Sequence, residues 1–231
     1  MTILSIANRS MLYSLSWYMS ARQTALRAAL SFRTQLSVTD QVDMRVHYSG
    51  YFLNLLAATE LFRETTTLRP NDFQAKLYSY LVFDGFQDGE ANYSYIRELR
   101  NAVVHRGLDV TAAAHMDGNF PMILAELEVR NQKGTKTFVA FDKYLLHVIA
   151  KCESVVGSVM LDCLKTAGIF EATIDADAVA TEYHKTIEQS HAIQSKSRLC
   201  LGNGIQAWMG GCCPQLCNEK AARSVGAVQC N

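Results

Sequence analysis

Before Pro70 the chain contains no proline and one glycine, Gly50. Proline removes a backbone donor and clashes with the preceding helical turn, so a stretch this free of it favours long helices. From Ile3 to about Leu36 the apolar residues, among them Leu4, Met11, Leu15, Tyr18 and Met19, fall at helical spacing. A second helix is expected to start near Thr39-Asp40, acting as its cap, and to carry Val42, Val46, Phe52, Leu55, Leu56 and Leu61. Gly50 is a candidate kink. The residue ahead of a proline avoids helical geometry, so this helix should end before Pro70. Asn71-Asp72 can cap a third helix through Phe73, Leu77, Leu81 and Val82, and Asp84 to Gly89 reads as a loop.

A fourth helix is expected from about Ala91 to His105, stopped by Gly107. Beyond it the period changes. Ala125, Leu127 and Val129 alternate with Glu126, Glu128 and Arg130, and Asn131 to Gly134 supplies a turn into strand formers from Thr135 to Phe141. A β-hairpin over about residues 124–141 follows from that pattern. Next comes a strongly amphipathic helix with Tyr144, Leu145, Val148, Ile149, Cys152, Val155, Val156, Val159, Met160 and Cys163 on one stripe, ended by Gly168. Asp175 to about Lys196 reads as a more polar final helix. The expected organisation is therefore a mainly α domain over residues 1–196 and a Gly/Cys-rich tail over 197–231, where five of the seven cysteines gather.

Twenty-two basic and 22 acidic residues cancel. A protein that coats nucleic acid through a broad electrostatic surface carries a basic excess, so that class is disfavoured, while an enzyme gripping one or two phosphates with a few arginines is not. Arg9, Arg22 and Arg27 interrupt the apolar amino terminus, which fits neither a secretory signal nor a membrane-spanning helix. Seven cysteines, an odd number, with Cys152 and Cys163 at core-like positions, suit free thiols in a reducing cytosol. A cytoplasmic protein with no membrane partner is the expectation.

Chemistry concentrates in the fourth helix. At about 100° per residue, Ile96, Leu99 and Val103 cluster on one side, with Tyr95 and Ala102 flanking them. Arg97, Arg100, Asn101, Val104 and His105 occupy the other. Arginine presents a charged fork of donors to phosphate oxygens and can stabilise charge developing there. Histidine titrates near neutral pH and can exchange a proton with a ribose 2′-hydroxyl or a leaving oxygen. Asn101 can orient the imidazole or donate to phosphate. Such a set suits phosphodiester cleavage with Arg100, Asn101 and His105 as catalytic residues and Arg97 and Arg106 as substrate-binding ones, with no metal or other cofactor.

The segment Arg100-Asn101-Ala102-Val103-Val104-His105 resembles the active-site motif of the HEPN family, an arginine and a histidine separated by four to six residues, often with a polar residue directly after the arginine. The resemblance covers about six diagnostic residues within a helical context from Thr39 to Thr166. It implies an all-α bundle with the motif late in a helix. It further implies a metal-independent endoribonuclease that leaves a 2′,3′-cyclic phosphate and a 5′-hydroxyl, and a homodimer whose two motifs face one RNA-binding cleft. Toxins and antiviral-defence effectors are common in the family, so an antitoxin or regulatory protein is an implied partner. The hairpin and the cysteine tail are not core family features. A non-catalytic HEPN-like module binding RNA or protein is the alternative, and a helical interaction domain with an accidental motif is a third.

Other constellations are weaker. Cys200, Cys212, Cys213, Cys217 and Cys230, with His191, lack the second close ligand pair of a structural zinc site. His147 lies in an apolar helix and reads as a satisfied, semi-buried side chain. Asp84 and Asp88 read as turn residues, and Tyr93 and Tyr95 as packing residues.

Overall fold

A computed structural model describes residues 6–32, 36–64, 70–112, 114–117, 120–173 and 175–189. Six helices dominate it: α1 (Ile6–Ala29), α2 (Val38–Glu64), α3 (Pro70–Tyr80), α4 (Gly89–Arg106), α5 (Leu145–Thr166) and α6 (Ala176–Gln189). Between α4 and α5 lie β1 (Ala114–Asp117), β2 (Phe120–Ile123), β3 (Glu128–Arg130) and β4 (Thr137–Val139). They form two separate antiparallel pairs, β1 with β2 and β3 with β4. The mainly helical architecture matches the sequence pattern. The tail over 197–231, with its cysteines, lies outside the described residues.

Local chemistry sets the helix ends. Ser37, rather than Thr39-Asp40, opens α2: its Oγ accepts the Asp40 N–H at 3.1 Å, while Asp40 Oδ2 accepts the Ser37 N–H at 2.8 Å. This reciprocal capping box satisfies two donors that the first helical turn leaves free. Gly50 does not break α2. A Cβ placed there would lie 3.5 Å from Ala25 Cβ, so the glycine lies where α2 runs close against α1. Asp88 caps α4 by accepting the Ala91 N–H at 2.9 Å, and Gly107 ends it in the left-handed region at φ 67°. Gly107 has no Cβ to oppose that conformation.

The core is assembled from one stripe of each helix. Met11, Leu15 and Met19 of α1 meet Tyr48, Phe52, Leu55 and Leu56 of α2, and the apolar stripe expected on α5 is buried from Leu145 to Leu164. Cys152 and Cys163 are free thiols within it. Burial pushes the Cys152 thiol up to about 12, the Glu153 charge adding to the effect. One charged residue of α1 also lies inside. Arg22 is 3% exposed and its Nη1 stands 3.0 Å from Glu153 Oε1 of α5, while Tyr51 Oη of α2 donates to the same oxygen at 2.9 Å. An arginine that breaks the apolar amino terminus in the sequence is thus a core residue, tolerated because a buried carboxylate faces it.

Two devices fix α4 against its neighbours. Asn92 is buried and its amide donates to the Leu81 and Phe86 carbonyls at 2.8 and 2.9 Å, pinning the preceding loop. At Gly89 a Cβ would fall 1.8 Å from the Tyr78 carbonyl oxygen, so only glycine lets α4 begin against the backbone of α3. On the far side, the hairpin β3–β4 packs along α4. Tyr95 Oη donates to the Glu126 carbonyl at 2.7 Å, and Arg106 Nη2 donates to the Arg130 carbonyl at 2.8 Å. The hairpin expected over 124–141 is therefore present with the turn at Asn131–Gly134, and β1–β2 is an additional one.

Candidate active site on the fourth helix

Helix α4 buries Tyr95, Ile96, Leu99 and Ala102 and leaves Val103 half-buried, the division expected from the sequence. Of the five candidate residues, Arg97, Arg100, Asn101 and His105 share its outer half while Arg106 follows the buried side at the last turn, and the five do not converge. Arg100 turns toward α2, where its Nη2 donates a charge-assisted hydrogen bond to Glu60 Oε1. The two side chains are only 19% and 27% exposed, and Arg100 Nε is buried without a hydrogen-bond partner. Asn101 is half-buried and His105 is exposed. Arg106 reaches the hairpin backbone, as described above. Arg97 stays near its own helix, its Nε 3.7 Å from Glu98 Oε1.

The helix stays regular to Arg106, so Arg100 and His105 lie about 140° apart around the axis. Arg100 looks to the α2 side, whereas Ser94, Arg97, Asn101 and His105 run along successive turns of the hairpin side. Three features of this surface have no local sequence signal. Glu60 lies 40 residues from the arginine it pairs with. Arg45 of α2 donates through Nη2 to the Gly107 carbonyl at 2.8 Å, placing a cation at the electronegative end of α4. Hairpin residues Lys136 and Phe138 line the third feature, a cleft of about 430 Å³ between α4 and β3–β4, together with Ser94, Arg97 and Glu98.

Apolar surface borders the arginine side. Val42, Val46 and Leu53 are 56%, 58% and 43% exposed and Val104 of α4 is 45% exposed. On a helix of 3.6 residues per turn, Val42, Val46, Leu53 and Glu60 fall within a sector of about 40°. The exposed stripe of α2 therefore leads directly to the Arg100–Glu60 pair.

Other sequence candidates resolve into structural roles. Tyr93 and Tyr95 are buried, and Tyr93 Oη shares a 2.9 Å hydrogen bond with Thr59 Oγ1. Neither ring is free to stack on a base. His147 is more exposed than its apolar helix suggests: its side chain is 58% exposed and Nδ1 lies 3.0 Å from Asp142 Oδ2. Its place at the first turn of α5 leaves it outside the core stripe. Among the described residues no group of three His, Cys, Asp or Glu side chains is placed to hold a metal ion, and no helix is long and apolar enough to cross a membrane. Comparison with protein-family models, with curated proteins and with solved structures gives no match.

Proposed function

We propose that this chain is a HEPN-like, metal-independent endoribonuclease acting as a homodimer, which cleaves RNA to 2′,3′-cyclic phosphate and 5′-hydroxyl ends. The observation that carries the reading is the Arg100-Asn101-(three residues)-His105 segment on the last turns of an amphipathic helix, its apolar side buried and its imidazole open to solvent. His105 takes the proton of the ribose 2′-hydroxyl or delivers one to the leaving 5′-oxygen. Arg100, held by Glu60, meets charge developing on the phosphate, and Asn101 supports either partner. Because one chain divides arginine from histidine around the helix, two chains meeting through the Val42–Val46–Leu53–Val104 surface would bring both kinds of group to one phosphate. Dimerisation is thus part of the mechanism. A growth-arresting toxin or defence effector, restrained by an antitoxin or regulatory protein, is the cellular role that fits such an activity.

The test is cleavage of a labelled RNA by the purified protein in the presence of a chelator. Products ending in 2′,3′-cyclic phosphate are expected, with activity abolished in His105→Ala while the circular dichroism spectrum is unchanged. Intact RNA at high enzyme concentration, or cleavage that needs a divalent cation, overturns the mechanism. A second reading has its own observation: Arg100 is already neutralised within the chain by Glu60. A non-catalytic module that binds RNA or protein would retain RNA without turnover, insensitive to His105→Ala.

A further inference from the structure

The α4–hairpin cleft is not used by the phosphate chemistry, and it is large enough to hold a ligand. Its volume of about 430 Å³ lies in the range of small-ligand sites, about 300–1,000 Å³. Three carboxylates line it, Asp88, Glu90 and Glu98, against two cations, Arg97 and Lys136. That balance repels a phosphate and suits a neutral group rich in hydrogen-bond donors. Asp88 is committed to capping α4. Glu98 is held only by an ion pair: its side chain is 10% exposed, Arg97 Nε stands 3.7 Å away, beyond hydrogen-bond reach, and no described residue donates to its carboxylate. Water in the cleft reaches its oxygens, and a ligand's donors can take that water's place. Phe138, half-buried in the hairpin, lines the same cleft.

We infer that this cleft binds a guanine base of the RNA, so that cleavage falls on the 3′ side of guanosine; the inference rests on the ribonuclease reading. An ionised carboxylate only accepts hydrogen bonds. Guanine alone of the four RNA bases presents two adjacent donors, N1–H and the N2 amino group, on its pairing edge. Adenine and cytosine each place an acceptor beside their donor there, and uracil flanks its single donor with acceptors. Glu98 therefore accepts both guanine donors, while Phe138 offers a ring face for stacking, the means by which proteins hold unpaired RNA bases. Arg97 and Lys136 can donate to guanine O6 and N7. From Glu98 to His105 the helix rises about 10 Å, a distance that a nucleoside and its 3′-phosphate bridge, which places the adjacent 2′-hydroxyl near His105.

Equilibrium binding of guanosine, inosine and adenosine 3′-monophosphates to the full chain tests this directly. Inosine lacks only the N2 amino group. Guanosine 3′-monophosphate is expected to bind about tenfold or more tighter than either of the others, as a charge-assisted hydrogen bond is lost in each. In Glu98→Gln that preference should collapse, and Phe138→Leu should weaken all three alike. Equal affinities, no guanosine 3′-monophosphate binding at millimolar concentration, or a preference that survives Glu98→Gln overturns the inference. Should Glu98→Gln fail to fold, the inosine comparison on the unmodified protein decides alone. RNA cleavage indifferent to guanosine would sink this inference and leave the ribonuclease standing. Selective guanosine binding without any RNA cleavage would sink the ribonuclease and the cleavage position with it, leaving only the base site.

Discussion

Of the arginine–glutamate pairs that tie helices together in this molecule, two are built differently. Arg22 of α1 and Glu153 of α5 are 4% and 8% exposed and lie inside the core, where Glu153 also accepts from the Tyr51 hydroxyl. Arg100 of α4 and Glu60 of α2 are 19% and 27% exposed, at the edge of an apolar stripe that no described residue covers. Ion pairing deep in a core matters chiefly because losing one partner strands the other in a medium that solvates charge poorly. A pair at an edge can exchange partners at low cost, since water already reaches both. The first is a fastening and the second is open to exchange, as the proposed contact with a phosphate requires.

Substitutions separate the two. Arg22→Met should cost about 3–5 kcal/mol of stability, read from denaturant unfolding, and adding Glu153→Leu should recover much of it. A single variant as stable as the parent would show that Glu153 finds another partner. Alkaline pH should also act on the core. Burial raises Tyr48 from 10.0 to about 12, and Cys152 from 9.0 to about 12. Both keep their protons longer in the folded state. Stability is then complete below about pH 9 and falls as pH climbs through 9–12, because the unfolded chain releases those protons first. Melting temperatures that stay flat across that window would contradict the burial of these groups.

The edge pair should respond on another scale. Arg100→Met and Glu60→Gln, combined in a double-mutant cycle, should couple by about 1 kcal/mol or less in stability. Arg100→Met should nevertheless lower RNA cleavage a hundredfold or more, as loss of a charge-stabilising donor does. Coupling of several kcal/mol would move this pair into the structural class. Smallest of all is the expected stability effect of His105→Ala, within about 0.5 kcal/mol for an exposed side chain, and a melting temperature matching the parent checks it.

The same contrast marks what the sequence can and cannot say. The end of α4 at Gly107, the β3–β4 hairpin and the α5 stripe are legible because their causes lie within a few residues: a left-handed cap, an alternation of two, a period of 3.6. Asp88 reads as a turn residue and proves to be the cap of α4, a difference of one hydrogen bond. Arg22 is different. Its burial depends on Tyr51 and Glu153, the latter two themselves 102 residues apart, and a charge in an apolar run reads as exposure until they are brought together. Glu60, Arg45 and Phe138 escape for the same reason. They join the candidate site only through the packing of α2 and the hairpin on α4, so the motif helix is visible in the sequence while its surroundings are not.

Gly89 gives the arrangement its reference point. Because α4 starts in direct backbone contact with Tyr78, every side chain downstream inherits its height along the axis from that touch. A methyl group there would slide or tilt the whole helix as a unit, shifting Glu98 against the hairpin and Arg100 against Glu60 together. The spacing between the cleft and the histidine belongs to the helix and would survive. What would be lost is alignment, in the way a ruler stays true after its zero mark has been moved.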